Sequence, residues 1–136
     1  MNAAIAPLGI SRLGQISITA HDLPRATAFY KDTLGLPLLF SAGHSAFFDC
    51  GGVRLMLAKP EQPELDHPSS IVYFMVSDII AANERLRASA VRMEGEPHLI
   101  ARMPDHDLWM VHFYDSEGNL HALMSEVKNR REVDQL

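Results

Sequence analysis

The segment Gln15-Ile-Ser-Ile-Thr-Ala-His-Asp22 has a counterpart 56 residues later, Ile71-Val-Tyr-Phe-Met-Val-Ser-Asp78. Each is an alternating stretch with strand periodicity, and each ends on an aspartate placed to cap a following helix. A chain of 136 residues that opens the same way twice is constrained to two modules sharing a core. Two independent domains would leave each half too small to bury enough apolar surface.

The helices follow from local chemistry. Asp22 can accept from the free N–H groups of the first turn, and Pro24 tolerates the missing partner there. Leu23, Ala26, Tyr30 and Leu34 then form one apolar stripe, which Gly35 is placed to end. Asp78 starts the second helix, with Ile79, Ala82, Leu86 and Ala90 as its stripe. Three strand-like segments follow each helix. In the first module they are residues 38–40, 45–49 and 53–58, with Gly51-Gly52 as a hairpin turn. In the second they are 99–103, 108–114 and 120–125, the last two joined by the turn-rich Asp115-Ser-Glu-Gly-Asn119. Residues 91–107 lengthen the second module and hold Gly95, Pro97 and Pro104. The chain reads β-α-β-β-β twice, an α+β fold. Residues 1–12 form an N-terminal extension, 13–126 one domain (modules 13–58 and 70–126), and 127–136 a charged tail or dimer arm.

Composition narrows the function classes. Twelve basic residues against 17 acidic ones give a net charge of −5, which speaks against nucleic acid as a partner. Cys50 is the single cysteine, so an intrachain disulfide and a zinc site built on several thiolates are both excluded. The N-terminus lacks the charge and apolar run of a secretory signal, and the longest apolar run spans residues 71–76. The expectation is a cytoplasmic protein without membrane partners.

Taken together, Gln15-x6-Asp22-Leu23, Ala28-Phe29-Tyr30, Leu34-Gly35-Leu36, the second helix start and Phe113-Tyr-Asp115-Ser-Glu-Gly-Asn119 resemble the vicinal oxygen chelate superfamily. That group includes glyoxalase I, bleomycin-resistance proteins, fosfomycin-resistance transferases and extradiol dioxygenases. The resemblance implies paired βαβββ modules whose strands curl as a mixed sheet into a cup with helices outside, in a chain that is frequently a homodimer. It also implies four inward strand positions that carry His, Glu or Gln around a divalent ion in metal-dependent members. Those positions fall on Gln15, Met56, Ile71 and Ala122. Ile71 and Ala122 offer no donor, and Met56 offers a soft thioether, so the family metal and its chemistry are expected to be absent.

Strand parity then predicts the cup lining. Gln15, Ser17, Arg54 and Met56 face inward from the first module, and Tyr73, Met75, Met110, His112 and Met124 from the second. The opposite parity collects Ile16, Ile18, Leu55, Leu57, Val111, Phe113 and Leu123, as a sheet face under helices requires. Apolar walls with a few polar handles suit a small organic ligand, and adaptable methionines suit one that is partly apolar. His112 is the catalytic candidate, a general base or ligand contact, at a position that carries a substrate-contacting Tyr in similar fosfomycin-resistance proteins. Arg54 is too long and charged to be buried unpaired and should reach the rim, to pair with a carboxylate or clamp an anion. His121 has helix-side parity and should be structural; His98 and His106 flank the long loop. The leading expectation is a metal-independent small-molecule binder of this superfamily, with no cofactor. The alternative is a divalent-metal lyase or dioxygenase, lactoylglutathione lyase-like, holding its ion through Gln15 and His112. A module that only senses a ligand or joins subunits is a third possibility.

Overall fold

The computed structural model describes residues 8–129. Asp22 caps α1 (Leu23–Ala28), its Oδ1 accepting the Arg25 N–H at 3.2 Å. The stripe predicted as one α-helix does not stay α-helical. The turn Phe29–Thr33 widens to a π-helix, with Leu34 N–H donating to Phe29 O at 2.9 Å. That extra residue lets Tyr30 sit fully buried while Phe29 and Leu34 reach a second cluster. Gly35 then takes φ +73° and Leu36 N–H returns to Tyr30 O at 3.0 Å, closing the helix.

The strands are β1 (Gln15–Thr19), β2 (Leu38–Ala42), β3 (Ser45–Cys50), β4 (Val53–Ala58), β5 (Tyr73–Met75), β6 (Met93–Arg102), β7 (His106–Tyr114) and β8 (Leu120–Lys128). They form two curled four-stranded mixed sheets of identical plan, β1-β4-β3-β2 and β5-β8-β7-β6. In each, the first strand runs parallel to the last and the others pair antiparallel. The register carries the sequence repeat through: Ser17 pairs with Met56 as Tyr73 pairs with Ala122. This is the paired βαβββ fold that the sequence predicts.

The helix sides of the two sheets meet in one core. Ile18, Phe48, Leu55 and Leu57 gather with Ala26 and Tyr30, while Val111, Phe113 and Leu123 gather with Ile79 and Leu86 of α2 (Ile79–Ala88). Phe29, Leu34 and Phe74 touch both groups and fuse them. Among the described residues no strand pairing joins the sheets, and the face of each sheet away from the core carries exposed side chains such as Phe40, Tyr73 and Met75.

Three expectations need correction. Strand β6 starts at Met93, not Leu99; bulges between Glu94 and His98 and between Leu99 and Ala101 absorb Gly95 and Pro97, which read as breakers. Strand β8 runs on to Lys128, and the rest of the tail, 130–136, lies outside the described residues. Ala90 does not extend the second stripe: α2 ends at Ala88, and Ala90 adopts φ +60° while Val91 N–H bonds back to Leu86 O at 3.0 Å. Left-handed backbone costs a non-glycine residue roughly 1–2 kcal/mol. Ala90→Gly is therefore expected to stabilise the fold by about 0.5–1 kcal/mol once the glycine's greater unfolded freedom is subtracted, read as a higher urea midpoint.

No helix among the described residues is long and apolar enough to cross a membrane.

Candidate functional site

On the open face of the first sheet, Gln15 lies opposite Arg54, and Arg54 opposite Asp49. The Arg54 Nε–H donates to Gln15 Oε1 at 2.9 Å, and its guanidinium stands 5.5 Å from the centre of the Phe47 ring. With its oxygen engaged there, Gln15 turns Nε2 toward the Met56 sulfur at 3.6 Å. Phe47 stacks on Phe40 at 4.5 Å. Gln15, Leu39, Asp49, Arg54 and Arg12 surround an open depression of about 510 Å³. Asp49 accepts from Gly52 N–H at 3.2 Å, which fixes the hairpin.

The open face of the second sheet has a row Tyr73–Ala122–His112 and beside it a row Met75–Met124–Met110. The Tyr73 and His112 rings meet edge to face at 6.0 Å, across a fully buried Ala122 between them. Glu94 lies opposite His112 and His98 opposite Met110.

The predicted residues thus form two groups. Gln15, Ser17, Arg54 and Met56 share one sheet face; Tyr73, Met75, Met110, His112 and Met124 share the other. Among the described residues no hydrogen bond or ring contact joins them. The faces stay open, with Phe40 47%, Tyr73 46% and Met75 56% exposed. Sequence reasoning missed Phe40, Phe47 and Asp49 because parity was not carried into β2 and β3, and Glu94 because its strand was read as loop. The register of the two GlyGly-linked strands could have placed Phe47 and Asp49.

The family's ion finds a poor donor set here. Gln15 already gives its carbonyl oxygen to a guanidinium, a cation that would repel a second one. Met56 is a thioether, Ala122 is sealed beneath two rings, and Ile71 carries no donor. No group of three or more His, Cys, Asp or Glu among the described residues is placed to hold a metal. His98 and His106 have separate partners, the Glu96 carbonyl at 2.9 Å and the Asp105 carboxylate at 2.7 Å.

Among the described residues, a buried polar cluster lies on the helix side. Val72 N–H donates to His121 Nδ1 at 3.2 Å, which assigns the ring proton to Nε2. That Nε2 meets Tyr30 Oη at 3.0 Å, and the Tyr30 hydroxyl donates to Asp115 Oδ2 at 2.5 Å. Asp115 also accepts from Glu117 N–H, Asn119 N–H and the Asn119 amide. Glu117 in turn accepts from the backbone of His21 and Asp22 ahead of α1. Burial and the Asp115 charge drive the Tyr30 hydroxyl far above its ordinary pKa, so it stays neutral, accepting from His121 Nε2–H and donating to Asp115. The cluster bolts the modules together. Trp109 packs against the second core group. Burial and neighbouring Asp49 push the Cys50 thiol up, which leaves it a poor nucleophile.

Residues 12–123 match the family described as the Glyoxalase/Bleomycin resistance protein/Dioxygenase superfamily. The chain is 28% identical to the uncharacterized protein YraH of Bacillus subtilis, covering 80% of this chain and 94% of that one. It is similar to a superfamily member from Sphaerobacter thermophilus (TM-score 0.73, 21% identity, 88% and 100% covered). It is also similar to lactoylglutathione lyase from Agrobacterium tumefaciens (TM-score 0.64, 25% identity, 85% and 94% covered). A fosfomycin resistance protein, FosX, from Listeria monocytogenes shares the fold (TM-score 0.66, 22% identity, 85% and 93% covered).

Proposed function

From the premise that the chain belongs to the glyoxalase/bleomycin resistance protein/dioxygenase superfamily, we propose that it binds a small, partly apolar organic molecule without a divalent ion, in a cup that two copies complete. The observation that carries this is the open state of the two strand faces in one chain. They bear Phe40, Phe47, Tyr73, Met75 and Met124, yet their polar groups are few and specifically placed. A monomer rarely leaves such rows uncovered. Strands β1 and β5 are free edges of sheets with one plan, so the first face of one copy can sit against the second face of another with matched geometry. The ligand would lie between Arg54 and Gln15 on one wall and Tyr73 and His112 on the other. His112, beside Glu94 and Tyr73, is the group able to take or give a proton there.

The test separates this reading from a metal-dependent lyase or dioxygenase. A metal held at 100 times its Kd stabilises the fold by about 2.7 kcal/mol, a rise of several degrees in Tm for a domain this size. Zinc, nickel, manganese and iron(II) are each expected to leave Tm within about 1 °C of the metal-stripped protein, a limit well below that linkage shift. Stoichiometric binding by calorimetry, lost in Gln15→Ala or His112→Ala, would establish the metal-dependent reading instead.

A further inference from the structure

We infer that the ligand of this cup is an organic anion, an aromatic or otherwise apolar body carrying a carboxylate, sulfonate or phosphonate, and that Arg54 clamps it. The inference rests on the proposed cup and adds the chemical class of its occupant.

Arg54 is an oriented cation on a face that also carries Gln15, Ser17 and Asp49 beside the Phe40 and Phe47 rings. Its Nε is held by Gln15 Oε1 at 2.9 Å and its plane leans on Phe47. Both contacts leave the two terminal nitrogens unused. Asp49, its neighbour across the ladder, directs Oδ1 to the Gly52 backbone, and no ion pair of Arg54 forms among the described residues. A guanidinium oriented by one side-chain bond, with its outer fork open, matches two oxygens of a carboxylate, sulfonate or phosphonate in bidentate fashion. Phe47 and Phe40, stacked at 4.5 Å beside it, provide a wall for a ring attached to that anion. In a chain of net charge −5, an arginine that faces a carboxylate across the ladder and still forms no ion pair with it keeps its charge available to a ligand. Arg12, on the rim of the same depression, turns Nη1 of its terminal fork to the Leu13 and Gly52 carbonyls, whereas Arg54 is engaged only through Nε and keeps both terminal nitrogens for a bidentate contact. A separate depression of about 360 Å³ on the helix side between Leu34 and α2 holds no such oriented cation and serves as the control location.

Two dyes of nearly the same ring system isolate the charge: 8-anilinonaphthalene-1-sulfonate and neutral N-phenyl-1-naphthylamine. Fluorescence titration of the native protein is expected to give the sulfonate about tenfold tighter binding, the range of one charge-assisted bidentate contact. Arg54→Met should erase that preference and leave the neutral dye's Kd within twofold; Arg54→Lys should keep only part of it. Arg85→Met, on the helix-side depression, should change neither. Equal binding of both dyes, a preference that survives Arg54→Met, or a loss shared equally by both dyes would overturn the clamp while leaving the cup intact. Failure of the neutral dye to bind, or binding untouched by Met75→Glu, would overturn the cup itself and the clamp with it.

Discussion

Asp115→Ala is expected to lower the unfolding free energy by about 3–5 kcal/mol, a large share of the 5–15 kcal/mol typical of a domain. The carboxylate has no exposed side-chain surface and accepts from Tyr30, two backbone N–H groups and the Asn119 amide. Alanine removes the acceptor shared by the buried Tyr30 hydroxyl and the partly buried Glu117 and Asn119 N–H groups, and each group left unsatisfied costs about 1–3 kcal/mol before relaxation. Loosening of the 115–119 turn also withdraws Glu117 from the chain ahead of α1. Tyr30→Phe removes one link and should cost less, about 1–3 kcal/mol. In a double-mutant cycle the two changes should couple by more than about 0.5 kcal/mol. Urea denaturation gives all three values. A cost for Asp115→Ala below about 1 kcal/mol, the ordinary single-mutation value, would show that the modules are held by apolar packing alone.

The same carboxylate sets an acid limit. Burial would raise the Asp115 pKa, but hydrogen bonds from His121, Tyr30 and Asn119 outweigh it and bring the value to about 2. A folded-state pKa below the unfolded value means that the unfolded chain binds the proton first as pH falls. The stabilisation is therefore complete above about pH 5 and is lost progressively as pH drops below 4 toward 2. Its size at neutral pH is about 2 kcal/mol by linkage. Asp115→Asn should flatten stability between pH 5 and pH 2.5 relative to the native protein.

The repeat, the two capping aspartates and strand parity were legible in the sequence because each is a local rule. Alternation separated Ile18, Leu55, Leu57, Val111 and Phe113, all buried, from their open-facing neighbours. What stayed hidden depends on distant partners. The π turn at Phe29 carries Tyr30, which bonds Asp115 and His121, 85 and 91 residues away, and no local signal marks it. The bulges that carry β6 past Gly95 and Pro97 are stabilised by pairing with β7, so residues that break an isolated strand were misread as loop, and Glu94 and His98 were lost from the face. His121 was placed on the helix side by parity alone, but its bond to Val72 N–H needed the fold. Arg54 was legible as a charge on an inward position. That it is aimed by Gln15 was not, because β1 and β4 are far apart in the chain and adjacent only in the sheet.

Met75→Glu is expected to weaken self-association and binding of N-phenyl-1-naphthylamine by more than 100-fold, about 2.7 kcal/mol, with little effect on the folding of a single chain. In one chain Met75 is 56% exposed on the edge strand β5, so a carboxylate there stays hydrated and falls among surface substitutions worth about 0.5 kcal/mol or less. In the proposed dimer, closure of the cup by a second copy would change that solvent. The carboxylate would then enter a wall of Met110, Met124 and Tyr73, where an unpaired charge costs several kcal/mol. Twofold symmetry would place the substitution at both cups of the proposed dimer. Met75→Leu keeps the volume and polarity and should retain both association and dye binding. Light scattering across a dilution series, with unchanged circular dichroism as the check on folding, reads the outcome. A Met75→Glu protein as dimeric as the native one would place the interface on another face, and a native protein monomeric at micromolar concentration would leave the ligand only a single open wall.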